Sequence, residues 1–342
     1  MRRVLIEPSR RVFANIEDLG PGQWFFPDIP PSQMGQLWST IGLDSEIGEK
    51  LQRFAQIDPQ TGFTVVRPPA SLVRNLKPEV RLRLHKLLST CEANVAQRHP
   101  FSFRGKRFSD WFVSSGLSSE VVGIVRPFVF RQGNRLMFTD LELVWPLIQD
   151  PEERLRLLRA LRRESSFVLH LQLPRSVDMD ALTTYWGGHG RDEHVDTVLH
   201  SFQKSVGEID VLYLLPVFAR SRLYTYPAVP RPGERRPDCH WTAFNFLRDR
   251  PDERFFDYEY TLRYAREQCE RVVGPPALGD IYCMLTDEGK MIHSCVHVAG
   301  NIVFTKNGIG HRMPYLLETL EAVVDHYEAQ GATRVLLIRP PA

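Results

Sequence analysis

Residues 279–308 read GDIYCMLTDEGKMIHSCVHVAGNIVFTKNG, and their pattern decides the fold class. Gly279-Asp280 opens a run, 281–285, that is short and apolar enough for a strand. Asp287-Glu288-Gly289 is a turn, 291–298 a second strand, Ala299-Gly300-Asn301 a tight reversal and 302–306 the return. A three-residue reversal sets residue 295 opposite 305 and 293 opposite 307, which puts Thr305 and Asn307 on the His293 face. A two-residue turn at Gly300-Asn301 slips the register by one and turns both away.

Outward from this hairpin, residues 239–248 (CHWTAFNFLR) and 259–271 have helical character. Residues 314–329 are expected to form a helix, and 335–338 a last strand. The order helix, antiparallel sheet, helix and strand is an α+β layout. Before it lies YTYPAVPRPGERRP, residues 224–237, with four prolines. Proline removes backbone donors and fixes φ, so this stretch reads as an extended connector. The expected division is therefore 1–222, an N-terminal α+β region of unknown role, and 223–342, a second module.

The N-terminal region carries helical patterns at 45–55 and 77–90 and hairpin patterns at 101–108 (FSFRGKRF) and 128–138 (FVFRQGNRLMF). Residues 151–163 (PEERLRLLRALRR) have proline and acids first and basic residues last, the order a helix favours. Leu155, Leu158 and Leu161 are expected inward and the arginines in solvent. A strand at 167–173 ends at Pro174, and 174–215 is again helical in pattern.

With 342 residues, about two domains are expected. The 43% hydrophobic and 25% charged content is that of an ordinary globular chain, and a net charge of +2 argues for neither nucleic acid nor an anionic membrane. Glu7, Pro8, Arg10 and Arg11 interrupt the apolar run behind the N-terminal arginines, so no secretory signal is read there. No stretch nears the roughly 18 apolar residues of a membrane span. Five cysteines (Cys91, Cys239, Cys269, Cys283, Cys295) without CxxC spacing argue against a disulfide framework and for a reducing compartment, the cytoplasm.

Cys239 follows Asp238 at an expected helix start, where unpaired N–H groups favour a thiolate. The bland alternative is a small apolar residue at a helix end. His293, Cys295 and His297 share one strand face. A zinc site built from these with Cys239 is the minority reading, since tight Cys-x₂₋₄-Cys pairs are absent. Gly187-Gly188-His189-Gly190 lacks the strand and lysine of a phosphate loop, and His189, His194 and His200 have no ligand spacing.

Asp238-Cys239, Gly279-Asp280, His293 with His297, and Thr305, in that order, resemble the NlpC-type cysteine peptidases, a branch of the papain-like fold. The likeness covers about residues 224–340. His240-Trp241 departs from that family's usual Ser-Gly, and Thr305 stands where His, Asn or Asp is commoner. The resemblance implies a cysteine hydrolase (peptidase or amidase) with Cys239 as nucleophile, His293 as base and Thr305, with Asn307 as understudy, orienting the imidazole. The Cys239 N–H would help hold the oxyanion, and Tyr224 or Tyr226 would line the site. No cofactor is implied; the expected partner is a peptide or other amide-containing substrate, with neither nucleic acid nor membrane. The alternative is a non-catalytic binding module on the same scaffold.

Overall fold

The computed structural model describes residues 1–13, 19–105, 107–188 and 190–341. The chain divides into two compact units, one formed by residues 1–8 with 164–342 and the other by 9–163. The division falls at Arg163/Glu164 instead of near 222. The proline-rich stretch thus lies inside a unit, and its extended backbone serves as a wall, not as a linker.

In the first unit, β1 (Arg2–Ile6) pairs antiparallel with β2 (Glu164–Val168). The expected strand at 167–173 is split, because β3 (His170–Gln172) leaves β2 to pair with β4 (Glu208–Asp210). Between them lie α1 (Met179–Trp186) and α2 (Asp192–Ser205). Then come α3 (Cys239–Phe244), α4 (Tyr258–Glu267), β5 (Glu270–Arg271), β6 (Ile281–Leu285), β7 (Met291–Ala299), β8 (Ile302–Thr305), β9 (Leu316–Thr319), α5 (Leu320–Glu328) and β10 (Arg334–Arg339). Among the described residues the main sheet has six strands, ordered β5-β10-β6-β7-β8-β9, all antiparallel. The α+β class holds. The first part of 314–329 is a strand, however, pairing Ile302 with Thr319 and Thr305 with Leu316.

Strand alternation gives the sheet two buried faces. Ile281, Cys283, Val296 and Phe304 pack with Trp241, Phe244 and Phe246 on and beside α3. Met284, Cys295 and Val303 pack with Val323 and Tyr327 of α5. Each such side chain taken from water contributes on the order of 1.5–3 kcal/mol. Buried on both sides, the strands have near-continuous apolar runs.

The β7–β8 connection differs from both expected forms. Ala299 pairs with Ile302 across a two-residue turn, yet His297 pairs with Val303 and Val296 with Phe304. Val298 is the extra residue of a bulge that restores the register the turn had shifted. Thr305 therefore stays on the His293 face.

At the same end of β7, on its β6 side, Gly279-Asp280 locks the sheet: the Gly279 N–H donates to His297 O at 3.1 Å and the His297 N–H to Asp280 O at 2.7 Å. Asp280 is buried and accepts two hydrogen bonds from Arg339 of β10, each 2.7 Å, and one from the Ala277 N–H. Gly279 has φ 94°, and a Cβ there would lie 2.6 Å from Leu247 Cδ1, so both conformation and space require glycine.

The second unit has two three-stranded antiparallel sheets among its described residues. Its core is rich in aromatics, including Trp24, Trp38, Trp111, Phe128 and Phe138. Arg81 and Asp140 form an ion pair at 2.7 Å within it, the arginine also donating to the carbonyls of Val73 and Pro127. The hairpin at 128–138 forms around Gly133-Asn134. That at 101–108 does not: Phe101–Arg104 pairs instead with Arg135–Phe138, and Phe108 begins a helix; Lys106 of that stretch lies outside the described residues. The helix Pro151–Leu161 forms as expected, but Arg163 behind it is buried and donates to the carbonyls of Trp111 and Val113. No helix among the described residues is long and apolar enough to cross a membrane.

Candidate functional site

Asp238 caps α3: its carboxylate accepts from the Trp241 N–H at 2.7 Å, and Cys239 is the first helical residue. Proline precedes that aspartate, so the helix starts here on sequence grounds alone. The short helix lies against β7, where the His240 Nδ1 meets Ser294 Oγ at 2.9 Å.

Cys239 was expected at an accessible helix start that favours its thiolate. It is instead 7% exposed. Burial pushes its thiol up to about 12, the Asp238 carboxylate adds to the rise, and the Ser294 backbone N–H and the Lys306 ammonium only partly offset it. Loss of water outweighs the helix-end dipole, which is small for so short a helix.

His293 is fully buried, with its imidazole held on two sides. The Tyr327 ring of α5 stacks on it at 3.9 Å between centroids and 11° between planes. Its Nε2 lies 3.0 Å from Thr305 Oγ1, which in turn donates to Asn307 Oδ1 at 2.8 Å. A hydroxyl has one proton. With that proton committed to Asn307, Thr305 can only accept from His293, so Nε2 carries the hydrogen and Nδ1 keeps its lone pair. Among the described residues Nδ1 has no hydrogen-bond partner; the Cys239 thiol therefore does not bond to it in this arrangement. Desolvation holds the imidazole well below its usual range, with His240 and His326 adding to the fall.

Lys306, next to Thr305, gave no sequence signal, because a lone lysine reads as surface. It is fully buried, and its ammonium donates to the carbonyls of Gly308 and Gly310, both at 2.8 Å. Burial brings it down to about 8, against the opposing pull of Cys239 and Asp238. The Gly310 N–H donates to Pro237 O at 3.2 Å, tying this segment to the chain just before Cys239. Tyr327 was missed as well, since its helix comes from a distant part of the sequence.

Tyr224 and Tyr226 separate in role. Tyr224 sits at φ 63° with its hydroxyl on Phe167 O at 2.6 Å, whereas Tyr226, bonded to Ile6 O, lines a cavity of about 450 Å³ with Pro237 and Trp241. Among the described residues no group of three or more His, Cys, Asp or Glu is placed to hold a metal ion. His297 makes an edge contact with Tyr282. His200 bonds its own helix at Asp196 O, and His189 lies outside the described residues.

Comparison with protein-family models, with curated proteins and with solved structures finds no match to this chain.

Proposed function

We propose that the unit containing residues 164–342 is a cysteine hydrolase of papain-like, NlpC-type character acting on an amide bond, with Cys239 as nucleophile, His293 as base and Thr305 orienting the imidazole. One observation carries this reading: the Asn307–Thr305–His293 chain fixes the tautomer in which Nδ1 is a free base. That is the protonation state general-base activation of a thiol requires.

Both groups rest neutral, so no thiolate–imidazolium pair is stored. α3 packs on the Ser294 and Val296 face of β7, whereas His293 stacks on Tyr327 at the other face. This reading therefore requires α3 to shift as substrate binds until the thiol reaches Nδ1; the thiol proton then passes to Nδ1 as sulfur attacks the acyl carbon. The imidazolium then protonates the leaving amine, and water releases the acyl group from the thioester. The Lys306 ammonium, already beside Cys239, would favour each anionic stage.

The buried thiol favours a second reading, a non-catalytic binding module in which the same network is structural. Intact-mass analysis with an amide-based electrophile near pH 7.5 separates the two. The hydrolase reading expects an adduct mapped to Cys239, lost in Cys239→Ala and strongly slowed in His293→Ala. Labelling that is confined to Cys269 and equal in all three proteins would overturn it.

A further inference from the structure

The cavity of about 450 Å³ beside α3 has a charge imbalance that its own residues do not resolve. Two guanidinium groups line it, Arg222 and Arg235. Neither forms an ion pair among the described residues. The one carboxylate in the lining, Glu234, is already engaged by Arg231, through the backbone N–H at 2.8 Å and the guanidinium at 3.9 Å.

Arg222 is held in place. It donates to Phe218 O and Ser221 Oγ, both at 3.1 Å, and its guanidinium lies over the rings of Phe218 at 3.9 Å and Trp241 at 5.5 Å. A guanidinium fixed by stacking keeps donors free in a defined plane, at little entropic cost when a ligand arrives. Trp241, 5% exposed, contributes to the same wall. Tyr226 and Tyr315 complete an aromatic lining.

We infer that this cavity binds the anionic group of a small organic ligand, a carboxylate or phosphate, between Arg222 and Arg235, with the aromatic wall taking the ligand's less polar part. The site needs no reaction at Cys239, which does not itself line the cavity. Should that thiol act on an amide, the cavity lies where the substrate's charged end would be held, because Pro237 and Trp241 flank Cys239 in sequence.

The test is calorimetric titration of the full chain at low salt with N-acetylglutamate, inorganic phosphate and uncharged N-acetylglutamine, with the Trp241 indole N–H followed by NMR. Saturable binding of at least one anion is expected, with a shifted Trp241 resonance and no binding of the neutral amide. The tighter anion identifies the carboxylate or phosphate source. Arg222→Met, which keeps an unbranched apolar side chain beside Phe218 but removes the guanidinium, and Arg235→Ala, at an exposed position, should each weaken binding about tenfold. Equal binding of the neutral amide, no binding of either anion, or wild-type affinity in both variants would overturn the site. Because binding is read without turnover, failure of the hydrolase reading leaves this result standing, and the reverse holds too.

Discussion

His293 has its basic nitrogen selected by a side chain it never touches. Asn307 accepts the Thr305 proton, and that commitment forces the Nε2–H tautomer. In Asn307→Ala the freed hydroxyl can donate to Nε2 and move the imidazole proton to Nδ1. The ¹⁵N shifts of His293 should then exchange character. If the unit is a hydrolase, turnover should fall roughly 10–100-fold, less than the loss in His293→Ala. Unchanged ¹⁵N shifts in Asn307→Ala would mean that Thr305 does not relay its orientation. The same neutrality governs the thiols. The five cysteines are free, and Cys269 is the one that is not buried, its thiol lifted by partial burial to about 11. Thiol titration without reductant should count five groups after denaturation. In the native protein Cys269 should react first; a fast second group at neutral pH would show that α3 opens readily.

At the scale of elements, the main sheet depends on two small irregularities at one end of β7, the first toward β8 and the second toward β6. The Val298 bulge sets which face Thr305 takes, and Gly279 lets the chain enter β6 under Leu247. Gly279→Ala adds a disallowed φ to a steric overlap, so urea unfolding should show a loss of roughly 2–4 kcal/mol. Leu247→Val in that background should recover the steric part alone. Of these elements, the strands from 281 to 305 were legible because alternation and turn residues agree. The bulge was not, since Val298 suits a regular strand as well as a bulged one. β9 was hidden because Leu316-Leu317 runs without a break into the apolar pattern of α5. Lys306 was illegible for a different reason: its burial depends on carbonyls that Gly308 and Gly310 turn inward, which no lysine in a sequence announces.

For the whole molecule, buried titratable groups fix the pH range of stability. His85, His240, His293 and His297 all have their pKa lowered, chiefly by burial. Below about 6.5 the unfolded chain takes up protons that the folded one refuses, so stability falls as pH drops. Lys306 acts on the alkaline side. Between about 8, its folded value, and 10.5, its ordinary one, the unfolded chain holds the extra proton and stability rises with pH. Above 9 the buried Cys239 and Cys283 thiols reverse this, because the unfolded thiols ionise first. Urea midpoints across pH should therefore peak near 8–9, and Lys306→Met should remove the rise that begins at 8. The division at Arg163/Glu164 was not readable, because it rests on β1 pairing with a strand far along the chain. Local patterns carry no trace of such a partner.

That pairing also sets an order in time. Ile6 lies opposite Glu164, so the chain leaves its first unit and returns to it at nearly one point, strand partners standing about 5 Å apart. On a ribosome, β1 emerges before residues 9–163 and must wait for all of them before its partner exists. The inserted unit is complete by then and can fold while β1 is still an unpaired strand. β1 is thus made before the insertion yet closed after it, and the ends of the insertion need no long tether to be joined when it is removed.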